Sequence, residues 1–512
     1  MAKIDKDNVE KNAAENEEET VEEDSAETAD EKAEAEEEQE FEGVESIREE
    51  AIEACFDILN SFLDEGNYQG FSEMIETVNP IDAADFFLSL EPKKIPMVFK
   101  HIKKDYSAEL FAELDSDLQK RIIEALTDRE ILRIVNELFI DDTVDLLNEL
   151  PANIVTSILK RIDPEKREAI NSYLAYPESS AGSIMTAEFI DLKENWTCGE
   201  SIEHIRKTGI DKETVYTAYV TDEKRILMGT VSFKELLFAN PKEMVSEIMS
   251  NNPICVATVD DREYAADLVS KYGLLALPVV DKEMRLVGIV TVDDAIDVIR
   301  EETTEDIEIM AAITPSDKSY MKTGVFSTWR KRFPWLLILM LSAIFSSAII
   351  THYESAIGTY AILTAFVPML MNTGGNAGSQ SSVAIIRAMS LDEIEKRDFF
   401  KVIWKEFRVS LLCGACLAAV CFVKTMLVDF RLQAQTVMES GAIQNNLVIA
   451  AIVSATAFFA VVVAKIIGSI LPMAAKKIGL DPAVMASPFI STIVDAVTLI
   501  IYFAIASQAL HL

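Results

Sequence analysis

PFISTIVDAVTLIIYFAIASQAL, residues 488–510, is a hydrophobic run long enough to cross a bilayer, and it carries a single acid, Asp495. An ionisable group at that depth costs a few kcal/mol, so it faces a bundle interior or a water-filled path. Ser491, Thr492 and Thr498 lie three or four residues away and give an otherwise apolar helix one polar stripe. A bare carboxylate so placed marks a cation route. The bland alternative is a structural polar contact between helices.

Working outward, five segments have spanning length, at about 333–352, 357–376, 407–428, 446–470 and 487–510. Arg330, Lys331 and Arg332 precede the first, and the loop THYES after it has no Lys or Arg. Arg387, Lys396, Arg397, Lys401 and Lys405 lie between the second and third, and Lys476 and Lys477 stand before the fifth. This asymmetry predicts a cytoplasmic N-terminus and a C-terminus outside. Lys465, near the end of the fourth span, is expected to snorkel to the cytoplasmic face. Between the second and third spans lies PMLMNTGGNAGSQSSVAIIRAM, residues 368–389. The run Asn372 to Gly375 predicts a break in regular helix, tolerated only where backbone lines a cavity or is buried by protein. Gly374, Gly375 and Gly378 would then let carbonyls approach an ion. Ordinary close helix packing is the competing account.

Residues 178–300 hold an internal repeat with a period of roughly 60 residues. Each copy reads as a short strand, a helix, a buried β-rich run, and a closing strand that enters a helix through GTVSFKEL or GIVTVDDA. The order resembles a tandem pair of CBS domains. That resemblance implies adenine-nucleotide contacts from Thr291 and Asp294, with Ser232 and Glu235 departing from the pattern in the first copy. Leu274 stands where the adenine-stacking aromatic belongs, a second departure that bears on ATP. Upstream, residues 43–177 show apolar residues at i, i+3, i+4 in short runs with Asp, Ser or Pro at the breaks, which predicts stacked short helices. Downstream, residues 301–332 form a linker. Asp294, Asp297, Glu301, Glu302, Glu305 and Asp306 crowd about four helical turns into it, and like charges at that spacing repel unless a divalent cation is shared. A solvated acidic face explains them equally well. Lys318, Lys322, Arg330, Lys331 and Arg332 follow among apolar residues, as on an interfacial helix against membrane lipid.

The net charge of −38 over 512 residues is segregated. Residues 1–42 are nearly all Glu, Asp, Ala, Lys and Asn, a composition expected to be disordered, and they lack the apolar core of a signal peptide. Such acidity argues against nucleic-acid partners and suits a protein that gathers cations. The six cysteines are scattered; Cys413 and Cys416 lie in a span, where small residues serve helix approach better than metal. The fold class is a multidomain membrane protein: an all-α cytosolic superhelical domain, α/β tandem CBS domains, a linker (plug) helix, and a five-helix transmembrane domain over 333–512.

NTGGNAGSQ, LDPAVMASPFISTIVD and the junction VTVDDAIDV…TTEDI, in that arrangement of domains, resemble the MgtE family of magnesium channels across about residues 45–512. The resemblance implies a homodimer in the cell membrane with one pore at the subunit interface. It makes Asp495 the pore carboxylate selecting hydrated magnesium, and places Asp481 near the inner pore end. It assigns cytosolic sensor positions to Glu109, Asp141 and Asp145 in the helical domain, and to Asp261, Asp294, Asp297, Glu302, Glu305 and Asp306 in or after the second CBS copy. It places Gly374, Gly375, Asn376, Gly378, Ser487 and Ser491 along the pore. Gly273 stands where some relatives carry an acid, and Ser379 and Ser487 stand where some carry Asn. Magnesium is thus both cargo and regulator, closing the path by binding between helical domain, CBS pair and linker. Two alternatives stay open: a membrane-anchored nucleotide sensor that transports nothing, and a transporter of another divalent cation. No spaced His/Glu pair, nucleophile motif or P-loop points to an enzyme.

Overall fold

The computed structural model describes residues 48, 50–150, 152–316, 320–321, 323–353, 361–391, 393–394, 396–429 and 442–510. The acidic tail 1–42 and the start of the expected second span, 357–360, therefore lie outside the described residues. The chain forms two compact units, up to Ala295 and from Ile296.

The first unit opens with helices α1 (50–64), α2 (Tyr68–Ile75), α3 (Pro80–Ser89), α4 (Ile95–Phe99), α5 (Lys104–Glu113), α6 (Ser116–Ala125), α7 (Asp128–Glu137), α8 (Ile140–Glu149), α9 (Ala152–Leu159) and α10 (Pro164–Tyr173). Their lengths follow a spacing in the chain: Leu or Ile stands at 90, 102, 114, 126, 138, 150, 162 and 174. Leu90, Leu114, Leu126, Leu138 and Leu150 each leave the helix in extended conformation. All of these but Leu126 are buried, so one apolar side chain anchors nearly every corner. Polar caps restart the helices: the Asn79 side chain accepts from Ile81 N at 3.0 Å, and Asp115 accepts from Leu118 N at 2.9 Å. Odd helices α3, α5, α7 and α9 pack successively on one another, as do even helices α4, α6, α8 and α10. The result is a two-layered α-superhelix of helices too short to persist alone. Phe86, Phe87, Phe99 and Phe111 run through its start with neighbouring ring centroids 6.0–6.2 Å apart.

The repeat forms two three-stranded sheets, β1 (Ile190–Lys193), β2 (Thr217–Thr221), β3 (Leu227–Ser232) and β4 (Val256–Ala257), β5 (Ala276–Val280), β6 (Leu286–Thr291). In each, the first strand runs parallel to the second and the second antiparallel to the third. Helices α11 (Cys198–Thr208), α12 (Phe233–Phe238), α13 (Val245–Ile248), α14 (Arg262–Tyr272) and α15 (Val292–Met310) complete the copies. The copies meet by reciprocal bonds at equivalent positions, Leu227 N to Met284 O at 3.0 Å and Leu286 N to Arg225 O at 2.9 Å. Phe189, Tyr219, Leu227, Ala276, Val280, Leu286 and Ile289 form a core shared by both copies. The tandem expected from self-similarity is present.

The second unit contains α16 (Val325–His352), α17 (Val367–Ser390), α18 (Phe399–Lys424), α19 (Ala442–Ile478) and α20 (Ser487–Leu510). Among the described residues, four helices are long and apolar enough to cross a membrane: Val325–His352, Phe399–Val428, Leu447–Ile478 and Pro482–Leu510. The α17 helix has 24 residues, and glycines and polar residues interrupt its apolar character. It begins ten residues later than the sequence predicts. The α19 helix occupies the centre and contacts α17, α18 and α20, while α16 contacts α20. Tyr502 OH donates to Leu363 O at 2.9 Å within the core at one end. The linker also differs from expectation: α15 ends at Met310, and the basic residues Arg330, Lys331 and Arg332 belong to the first turns of α16. Lys331 Nζ donates to Pro315 O at 2.7 Å, which fastens the intervening loop to that helix.

Candidate cation site

NTGGNAGSQ is unbroken α-helix, in contrast to the sequence expectation of irregular backbone. Neighbouring helices supply the reason. A methyl group on Gly374 would lie 2.6 Å from Thr498 Oγ1, and one on Gly378 would lie 2.9 Å from Ile490 Cγ2 and 3.3 Å from Ala464 O. A methyl on Gly468 of α19 would meet the backbone of Gly378 itself, with Cα 3.2 Å away. The glycines are the small surfaces at which α17, α19 and α20 cross, the packing alternative stated for this stretch. Their carbonyls stay in the helical ladder, which leaves side-chain oxygens as the polar groups to meet an ion.

Asp495 faces this surface. A methyl on Gly375 would sit 3.5 Å from Asp495 Oδ1 and 3.4 Å from Ser491 Oγ, ordinary contact distances. Ser379 Oγ lies 3.3 Å from Ser491 Oγ. Asn376 Nδ2 donates to Asn372 Oδ1 at 3.4 Å, and both asparagines are exposed. Asn372, Asn376 and Ser379 thus continue the polar face of α17 beside the carboxylate. Of the stripe predicted around Asp495, Ser491 and Thr498 face α17. Thr492 instead donates to Pro488 O at 3.0 Å and lines the groove between α20 and α16. Ser487 starts α20; its side chain is outside the described set.

Lys465 does not snorkel. It is 6% exposed and donates to Ser381 Oγ at 3.2 Å, while Ser381 donates to Glu406 Oε2 at 2.7 Å. A partner of opposite charge, reached through one hydroxyl, replaces the water a snorkelling ammonium would seek.

Two acidic groups form outside the spans. In the first unit, burial together with Asp142 and Asp294 pushes the Asp141 carboxyl up to about 8. Burial with Asp145, Asp294, Glu113 and Glu188 pushes Asp142 up to about 6. Burial with Asp293, Asp142, Asp294 and Glu188 pushes Glu213 up to about 7. Asp141 Oδ1 is buried without a hydrogen-bond partner. Lys166 sits near, but its ammonium is bonded to the carbonyls of Val135 and Leu138, both at 2.7 Å, at the end of α7. Of the predicted sensors, Asp141, Asp145 and Asp294 therefore act on one another's neighbourhood. Asp142, Glu113, Glu188, Glu213 and Asp293 join them unforeseen; only spacing of Asp142 and Asp145 on one short helix hinted at it. Glu113, one turn beyond Glu109, is the α5 acid that acts on Asp142, and Glu109 is exposed. In the second unit, burial, Asp481 and Glu302 raise the Asp306 carboxyl, opposed by a hydrogen bond from Ser390 and the charge of Arg387. Glu305 is half-buried on the same turn. Among the described residues no three carboxylates, histidines or cysteines converge into a ready ligand set.

Other predicted residues have plainer structural duties. Asp261 caps α14, accepting from Glu263 N at 2.9 Å, and Asp481 caps the turn Pro482–Met485, accepting from Ala483 N at 2.8 Å. Asp297 is exposed, 3.8 Å from Arg300 Nη1. Thr291 Oγ1 donates to Asp294 Oδ2 at 2.6 Å, and Ser232 and Glu235 form a capping box, so both CBS closing turns are internally satisfied.

A family model described as a divalent cation transporter, MgtE, matches residues 367–505; the MgtE intracellular N domain matches 78–179, and the CBS domain 245–301. The magnesium transporter MgtE of Thermus thermophilus is 33% identical over 457 residues, covering 88% of this chain and 98% of that protein. The protein of the same name from Bacillus subtilis is 29% identical over 453 residues, covering 88% and 96%. Among solved structures, the soluble part of a magnesium transporter matches 49% of this chain and 99% of its own at 28% identity, with a TM-score of 0.47. The cytosolic domain of the Mg2+ channel MgtE in complex with ATP matches 47% and 98% at 34% identity, with a TM-score of 0.45. The full-length relatives are named as transporters, not enzymes. With its long apolar helices, this is a membrane protein, and the chain belongs to the MgtE family of magnesium transporters.

Proposed function

We propose that this chain forms a homodimeric, magnesium-selective channel in the cell membrane, with its N-terminus cytoplasmic and its C-terminus outside. The carrying observation is Asp495, a spanning-helix carboxylate set against Gly375 and Ser491 beside the exposed amides of Asn372 and Asn376. Magnesium sheds water reluctantly, so this set suits contact with its hydration shell. One such carboxylate per chain becomes a facing pair across a twofold axis. The direction of the spans rests on the asymmetry of Lys and Arg between loops.

Closure is the second part of the proposal. Cytosolic magnesium neutralises the acids around Asp141, Asp142 and Asp294, and those around Asp306 and Asp481, and thereby favours the closed state of the channel. Magnesium that keeps its hydration shell bridges such acids through water, without a tight cage of direct ligands. An adenine nucleotide at the CBS pair would meet Thr291 and Asp294 already bonded to each other and would do without an aromatic at Leu274; titrating the full chain with ATP tests it.

The decisive measurement is ion flux in liposomes, with magnesium varied separately on each side. Downhill uptake that internal-face magnesium suppresses is expected. A chain carrying no flux would be the anchored sensor, and equal flux of calcium or manganese would make it a general divalent transporter.

A further inference from the structure

Three polar side chains meet among α17, α18 and α19, away from Asp495. Lys465 of α19 donates to Ser381 of α17 at 3.2 Å, and Ser381 donates to Glu406 of α18 at 2.7 Å. The serine hydroxyl accepts from a cation and donates to an anion, so its one proton and its lone pairs serve both charges. The site is built rather than incidental. Lys465 is 6% exposed, Ser381 2% exposed, and Glu406 half-buried, all in an apolar bundle. One turn away, Gly378 and Gly468 bring the backbones of α17 and α19 together.

Glycines allow that approach but cannot fix it, because a surface without side chains resists neither sliding nor rotation. The triad can. Ser381 lies three residues beyond Gly378, and Lys465 three before Gly468, so the polar bridge sits beside the crossing. Another face of the same α17 carries Gly375 and Ser379 against Asp495 and Ser491. A small rotation of α17 would carry Gly375 off the carboxylate and Ser379 off Ser491. Ser381 also engages Glu406 directly and sets the Lys465 ammonium one hydroxyl away from it, which compensates that second carboxylate.

We propose that Glu406, Ser381 and Lys465 form an intramembrane positioning triad that sets the register of α17 and hence the ion-facing surface opposite Asp495. This rests on Asp495 being the carboxylate that meets the ion, so Asp495→Asn is measured beside the triad variants. The full chain in liposomes is assayed for maximal magnesium flux and for the half-saturating concentration, with thermal stability followed in detergent. Ser381→Ala should raise the half-saturating concentration about tenfold, the scale of losing a charge-assisted hydrogen bond. Ser381→Thr, which keeps the hydroxyl, should restore it. Lys465→Met and Glu406→Gln should each impair flux more than the double variant, because each alone strands a buried charge. A merely structural triad would lower stability and maximal flux together and leave half-saturation at the wild-type value; that result overturns the proposal. Should Ser381→Ala not fold, a double variant as impaired as both singles combined would overturn it equally. Selective flux surviving in Asp495→Asn would instead remove the reading of Asp495, a distinct failure.

Discussion

Asp495 shows what a single residue can disclose. Its depth in an apolar segment is legible without any structure, since few side chains cost more in lipid. Its partner surface was not: nothing local says which face of a glycine-rich helix meets it. Lys465 is the counterexample, because a lysine near a span's end is ambiguous until two neighbouring helices supply Ser381 and Glu406. At this scale the expected outcome is specific. Asp495→Ala should abolish magnesium selectivity while dimers still assemble, since the change removes the divalent attraction and also relieves a half-buried charge. Flux ratios of magnesium over potassium in purified channels, with size measured by light scattering, check both halves. Wild-type selectivity would remove Asp495 from the pathway.

Elements obey constraints that single residues conceal. The break expected at NTGGNAGSQ rests on a run of polar and glycine residues at membrane depth; protein packing around the run lets the helix continue, and glycine's own helix penalty of about 1 kcal/mol per residue is one that tertiary packing overrides. Here the missing Cβ atoms are what α19 and α20 require. Gly468→Ala should therefore cost about 1–3 kcal/mol or more, because its methyl meets Gly378 backbone that has no rotamer to yield. Gly375→Ala should fold normally, its methyl meeting Ser491 and Asp495 at 3.4–3.5 Å, yet alter ion flux. Thermal melting of the two variants in detergent, compared with flux, tests the distinction; equal melting would discard the close-packing account. The superhelix taught the opposite lesson. Its Leu or Ile at every twelfth position, from Leu90 to Leu174, is plain in the sequence. Looking for 3.6-residue periodicity finds the helices and misses the corner that repeats between them.

Across the whole molecule, charge is the quantity that organises behaviour, and it does so selectively. Removing residues 1–42 should leave flux and its suppression by magnesium nearly intact. That tail has few large apolar side chains, among them Ile4, Val9, Val21 and Phe41, and diffuse charge is screened beyond about 8 Å at physiological ionic strength. A large shift in the suppressing concentration at that ionic strength would show the tail participates. The acids of the superhelix and CBS pair behave differently, because folding holds them together. Asp141, Asp142 and Glu213 are pushed up to about 8, 6 and 7, from an unfolded range near 4. For an acid raised in this way, the favourable contribution to the compact arrangement is fully present below about pH 4 and is lost as pH rises through the folded value. Without magnesium, protection of the connection between superhelix and CBS pair should therefore fall between pH 6 and pH 8.5, by about threefold or more in cleavage rate. Each rate is normalised to an unfolded substrate at the same pH. Magnesium should reverse the trend, since it competes with protons for the same carboxylates and binds better as pH rises. Saturating magnesium at pH 8.5 should restore the protection that protons give at pH 6. Asp141→Asn with Asp142→Asn should flatten the profile and raise the magnesium needed to suppress flux, with selectivity unchanged. A wild-type profile that stays flat without magnesium, or a double variant that closes at the wild-type concentration, would reduce these acids to a packed but passive surface.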